Sequence, residues 1–130
     1  MAPAAFDFSS RFTWLRIGLA LVWLAFGLVA KALNAVPRHR RIVARVVGDR
    51  ASGPVLTLVA GAEIGLAVWL LWGRALAPCA AAQTLMIAAM NGLELRYARD
   101  LLLSPLGMLA ANAVLLALAW YLALAGPWAV

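Results

Sequence analysis

Four apolar stretches, at about residues 12–34, 55–73, 76–95 and 104–125, take up most of the 130-residue chain. A helix of about 20 apolar residues crosses the roughly 30 Å of hydrocarbon in a bilayer, and each stretch is about that long. Composition leads to the same place: 66% of the residues are hydrophobic and 12% charged, and a chain this short has too much surface for its volume to hide so much apolar side chain from water. A water-soluble globule is excluded, and so is a disordered chain, whose mark is low hydrophobicity. The short alternating apolar and polar segments of a membrane β-barrel are missing. The expected fold is therefore all-α: a four-transmembrane-helix bundle, with residues 1–130 forming one domain.

The breaks between spans carry helix punctuation: Pro37 after the first, Ser52-Gly53-Pro54 before the second, Gly73-Arg74 after it and Ser104-Pro105 opening the fourth. Pro78 suits the first turn of the third span. The connection between the second and third spans is so short that a tight antiparallel hairpin is expected. A cleaved signal peptide fits poorly, because Arg16 lies inside the first apolar stretch and the stretch is long for a signal core. Gly61 and Gly65 form a small-xxx-small pair that predicts close helix packing. Trp14, Trp69, Trp72, Trp120 and Trp128 fall toward span ends, where indoles anchor at the head-group level.

The longest connection, residues 36–53, is patterned. At 100° per residue His39, Ile42, Val43, Val46 and Val47 share one face, and Arg38, Arg41 and Arg45 the other. A short amphipathic helix lying on the membrane is expected here, between helices 1 and 2. Arg38, Arg40, Arg41, Arg45, Arg50, Arg96 and Arg99 lie on the side of the first and third connections, against Arg11, Arg16 and Arg74 on the side of the termini. The positive-inside rule taken alone puts those two connections in the cytoplasm. Anionic lipid head groups account for the arginines, so no nucleic-acid partner is needed.

Ionisable and amide groups inside hydrocarbon are costly and usually face the bundle interior, pair with one another or serve function. The candidates are Lys31, Glu63, Asn91, Glu94 and Asn112. Glu63 is nine residues past Pro54 and Asn112 eight past Ser104. At 1.5 Å per residue both sit about 12–14 Å from the same membrane face, with Asn91 shallower and Lys31 and Glu94 shallower still. Cys79, Gln83, Ile87, Met90, Asn91 and Glu94 share one stripe of the third span. The expectation is a polar pocket in one half of the bundle, open toward the first and third connections, with Glu63 its deepest charge and His39 over its mouth. Such a pocket suits an amphipathic head group or a proton-coupled redox molecule such as a quinone. The same groups also suit interhelical glue. Cys79 has no CxxC partner, and no metal-ligand cluster or Ser/His/Asp set is visible. No metal is expected, no catalytic residue can be named, and whether the chain is an enzyme stays open.

The run Leu21-Val22-Trp23-Leu24-Ala25-Phe26-Gly27-Leu28-Val29-Ala30-Lys31, a following Pro37, then Gly61-Ala62-Glu63-Ile64-Gly65-Leu66, Met90-Asn91-Gly92-Leu93-Glu94 and, after Ser104-Pro105, Asn112 resemble the DoxX-like membrane proteins over nearly the whole chain. The resemblance implies a single four-helix domain in the bacterial inner membrane. It also implies an accessory role in a membrane redox system: the family's namesake is linked to thiosulfate and quinone oxidation, and other members to thiol or oxidative stress. Distant eukaryotic relatives resemble chaperones or cargo receptors, which keeps a non-enzymatic chaperone, assembly or transport role as the alternative. Membrane lipids are the expected partners; a redox or other membrane partner protein and a homo-oligomer both stay open.

Overall fold

The computed structural model describes residues 6–32 and 37–127, with the backbone alone for 29–32. Helix α1 (Arg11–Leu24) continues as a π-helical stretch (Ala25–Ala32); α2 is Pro37–Val47, α3 Asp49–Trp72, α4 Leu76–Tyr97 and α5 Pro105–Ala125, with a 3-10 turn, Arg99–Leu101, before α5. The four segments Arg11–Leu28, Asp49–Trp72, Leu76–Tyr97 and Pro105–Ala125 are long and apolar enough to cross a membrane. Leu58, Leu85, Leu106 and Leu124 stand exposed on α3, α4 and α5, as side chains facing lipid would.

The spans pair as α1 with α3 and α4 with α5. Gly73-Arg74-Ala75 turns the chain in three residues between α3 and α4, and the two helices meet as the expected hairpin requires, though each packs more extensively on another partner. Alanines explain the close approach in the core, where Ala20, Ala67, Ala80, Ala119 and Ala123 lie among Leu19, Leu66, Leu70, Leu122 and Trp23. Small residues let helix backbones meet where lipid gives no hydrophobic drive. Gly61 and Gly65 play no such part within the chain, for nothing lies within 4 Å of a Cβ built on either. They fall on the face of α3 opposite Ala60, Glu63 and Ala67, which are the buried ones. The glycine that does permit close packing is Gly27, whose Cβ would come within 2.8 Å of the Ala60 carbonyl oxygen.

Helix α3 begins at Asp49, six residues before the expected start, and carries Pro54 in its second turn. The carbonyl that Pro54 cannot bond belongs to Arg50, at the exposed end of the helix, where water can satisfy it. Ser10 and Ser104 cap α1 and α5 through their hydroxyls, which accept from the backbone N–H of Phe12 (3.2 Å) and Gly107 (3.1 Å).

The far end of α3 is closed by Arg16. This side chain is fully buried and donates from Nε to the Leu70 carbonyl (3.0 Å) and from Nη2 to the Leu71 carbonyl (2.6 Å). Those are carbonyls of the last turn of α3, which have no helical donor, and a cation is favoured there by the helix dipole. Gly73 ends the helix at φ +75°, a conformation glycine adopts freely, and any Cβ there would lie 2.7 Å from the Arg16 guanidinium. The arginine thus ties the start of α1 to the end of α3.

Replacing Arg16 with Met should lower stability by about 3 kcal/mol, the cost of losing two charged hydrogen bonds and stranding the carbonyls. Arg16→Lys, a point charge without the planar fork, should recover part of the loss. Thermal unfolding in detergent checks this; a Met variant with the parental midpoint would show that the α3 end does not depend on Arg16.

Candidate functional site

Toward the α2 end the two helix pairs part. The buried residues of α5 are Ala119, Leu122 and Ala123, all in its last two turns, so its first half stands away from the core. At the same level Gly27 draws the π-helical stretch against Ala60, Glu63 and Ile64 of α3. The space left open is a cavity of about 420 Å³ lined from α1, α2, α3, α4 and α5, of the size and apolar character usual for small-molecule sites.

Its floor is formed by Trp23, which is 2% exposed. The Trp23 indole N–H donates to Gln83 Oε1 at 2.8 Å, and Gln83 Nε2 in turn lies 3.5 Å from Cys79 Sγ. This buried bond joins α1 to α4 across the bundle and separates the close-packed half from the open half. A second tie in the closed half runs from the Trp120 indole to Thr84 Oγ1 at 3.0 Å. Trp69 donates to the Arg74 carbonyl at 2.9 Å. Trp69 and Trp120 are therefore half-buried donors to protein groups, whereas Trp14 and Trp72 are exposed. Trp128 lies outside the described residues.

Of the candidates from sequence, Glu63, Asn91, Glu94, Asn112 and His39 all line this one cavity. Glu63 is 1% exposed and projects from the middle of α3. Asn112 Nδ2 donates to Asn91 Oδ1 at 3.0 Å, joining α4 to α5. Among the described residues no other side chain bonds the pair, so the two N–H of Asn91 Nδ2 and the oxygen Asn112 Oδ1 are left to offer donors and an acceptor to whatever occupies the cavity. Glu94 and His39 are half-buried nearer the α2 end. The side chain of Lys31 lies outside the described residues. The rest of the lining is mostly aliphatic, with Val55 and Val59 from α3 and Met90 and Met108 from α4 and α5. Among the described residues no group of His, Cys, Asp and Glu is arranged to hold a metal ion.

Helix α2 differs from expectation in where its apolar face points. The segment is helical and its faces segregate as the sequence predicts, but His39, Ile42, Val43, Val46 and Val47 line the cavity and Ile42 is 7% exposed. The face expected to dip into lipid covers the mouth of the bundle instead, because the parted helices leave apolar wall there that a helix can bury. Outside, Arg45 grips Asp100 of the 3-10 turn with two hydrogen bonds, at 2.8 and 3.1 Å. That pairing holds the Asp100 carboxyl below its ordinary value and raises the Arg45 guanidinium.

Sequence reasoning missed Trp23, Phe26, Arg38 and Ser104 as cavity residues. Trp23 could have been found from depth, since an indole eight residues before Lys31 sits far from the head-group level and needs a buried acceptor.

The family model described as the DoxX-like family matches residues 20–120, a stretch that takes in every cavity residue, and the chain belongs to that family. No curated protein and no solved structure matches.

The approach of Gly27 to α3 fixes the width of the cavity beside Glu63. Gly27→Ala should force the π-helical stretch from Ala60 and Glu63 and cost about 1–3 kcal/mol, as overpacking does. The unfolding midpoint in detergent should fall accordingly; an unchanged midpoint would mean that this contact is loose. Gly61→Ala, into open space, is the matched control and should leave the midpoint within about 0.5 kcal/mol of the parent.

Proposed function

We propose that this DoxX-like integral membrane protein binds a quinone-like or lipid-like molecule in the cavity between α2 and the open ends of α3, α4 and α5, and serves a membrane redox system of the bacterial inner membrane as an accessory subunit. The observation that carries the reading is an apolar cavity of about 420 Å³ with a buried carboxyl group, Glu63, and a bonded amide pair with donors and an acceptor to spare. Apolar walls with a few convergent polar groups are what an amphiphile needs: the walls take the tail and the polar groups fix the head.

The donor set suits a quinone. Quinone carbonyls accept hydrogen bonds, and Asn91 Nδ2 and the imidazole of His39 are the donors at hand, with Met90, Met108 and Phe26 as ring and tail contacts. A bound quinone would supply two-electron, two-proton chemistry. Glu63, which accepts when ionised and donates when protonated, is the residue able to pass a proton to or from the head. A lipid head with hydroxyl or ester groups meets the same donors.

Against this stands the reading in which the polar groups only hold helices together in a chaperone, assembly or transport protein. The Asn91–Asn112 bond suits that alternative, since it joins α4 to α5 directly.

Glu63→Gln separates the two. Gln keeps the shape and most of the hydrogen bonding but cannot exchange a proton. Organic extracts of wild-type protein purified from its membrane should contain one amphiphile near one per chain by mass spectrometry. The Gln variant should keep the parental thermal midpoint and hold the amphiphile about tenfold more weakly or worse, the loss of one charged hydrogen bond. Full retention of the amphiphile by the Gln variant would reduce Glu63 to a structural residue, and a wild type with no specific amphiphile would overturn the binding reading itself.

A further inference from the structure

The cover of the cavity is joined to the bundle in an unusual way. Helix α2 passes into α3 through a single residue, Gly48, at φ +88°, a conformation open to glycine and strained for other residues. Its inner face is apolar and lines the cavity, while Arg40, Arg41 and Arg45 stand exposed outside. At its last turn, the end next to Gly48, Arg45 is bonded to Asp100 in the turn that leads into α5. Across the cavity from α2 stands the first half of α5, with Leu103, which is 85% exposed, at the rim and Met108 on the wall. Among the described residues α2 and α5 share no extended packing. Between them, the described tie is the Arg45–Asp100 pair acting through the 3-10 turn.

We propose that α2 is a hinged lid, pivoting at Gly48 and latched by Arg45–Asp100, and that unlatching opens the gap between α2 and α5 through which a bilayer-dissolved amphiphile enters and leaves the cavity. The proposal rests on the cavity-binding reading above for its ligand, but the movement of the lid is separately measurable.

The chemistry of the latch fits this use. A two-pronged arginine–carboxylate contact is directional, yet both side chains are largely in solvent, 44% and 64% exposed, so the pair is easily broken and screened by salt. Stability from a carboxylate held below its ordinary value is present above that value and lost only as the pH falls through the lowered one. Salt, or the charged surface of a membrane, rather than mild acid, is therefore what releases the latch. The lid also has something to cover, since opening exposes Ile42 and the valines of α2 and requires an apolar phase to receive them. Hydrocarbon at the gap provides that phase, which is why the ligand is one dissolved in the bilayer rather than in water.

The test follows the accessibility of a thiol on the far wall. Met108→Cys, with Val59→Cys as a second position, is labelled by a lipid-soluble maleimide partitioned into the bilayer, in the full-length protein in nanodiscs; Cys79, fully buried, sets the background. Adding Asp100→Asn should speed labelling about threefold, as fits the loss of an exposed ion pair. The charge-swapped pair Arg45→Asp with Asp100→Arg should return it to the parental rate. Raising the salt should speed labelling of the parent and leave the Asn variant unchanged. Equal rates in parent and Asn variant, or a swapped pair as fast as the Asn variant, would overturn the latch. Protein with the parental Met108 and Val59 is extracted for amphiphile in parallel: labelling that follows the latch, with no amphiphile in the parental protein, sinks the binding reading and leaves the lid standing, whereas bound amphiphile with labelling blind to the latch does the reverse.

Discussion

Polar groups inside a bilayer must find their partners within the protein, and the architecture of this bundle follows from where those partners are. Arg16 meets the open carbonyls at the end of α3, Trp23 meets Gln83 and Trp120 meets Thr84. These bonds join α1 to α3, α1 to α4 and α5 to α4 in the half where the alanine-rich core is tight. An unsatisfied polar group in hydrocarbon costs several kcal/mol, so the ties fix register and helix order more firmly than apolar contact can. With that half closed, the two helix pairs are free to part from one another in the other half.

The open half is where the chain departs from a plain bundle. Gly27 and the π-helical stretch lean toward α3, the first half of α5 leans away, and the difference is a cavity floored by Trp23. A π-helical stretch widens the helix and is frequent at functional sites; here it lies beside Glu63, the carboxyl buried in the cavity wall. Helix α2 then covers what the spans leave uncovered. An amphipathic helix placed on a bilayer would bury its apolar face in lipid, but this one spends that face on protein and presents arginines outward, where anionic head groups would meet them.

Much of this was legible in the sequence. The spans follow from apolar length, the helix within the first connection from its segregated faces, and the gathering of Glu63, Asn91, Glu94 and Asn112 from matching depths at 1.5 Å per residue. Other features were hidden for physical reasons. Periodicity reports which residues are apolar but not whether an apolar face meets lipid or protein, so it does not reveal that the apolar face of α2 lines the cavity or that Gly61 and Gly65 meet nothing within the chain. Glycine spacing alone carries no information on which face turns inward, and in α3 the inward face is the one that carries Glu63. The hydrogen-bonding roles of Trp69 and Trp120 depend on the Arg74 carbonyl and Thr84 lying in reach, which is tertiary knowledge. The early start of α3 hid behind Pro54, a residue that ends helices in their interior but is tolerated near an exposed end.

The central claim is that the cavity is built to hold an amphiphile. An experimental density map of the protein in native lipid tests it most directly. The account predicts one elongated feature in the cavity beneath α2, with its broader end within hydrogen-bond distance of Asn91, Asn112 or Glu63 and its tail running toward the gap beside α5. A map in which side chains close the cavity, or in which only separate water-sized peaks join Glu63 to the Asn91–Asn112 pair, would contradict it and leave the polar groups as the internal bonding of the bundle.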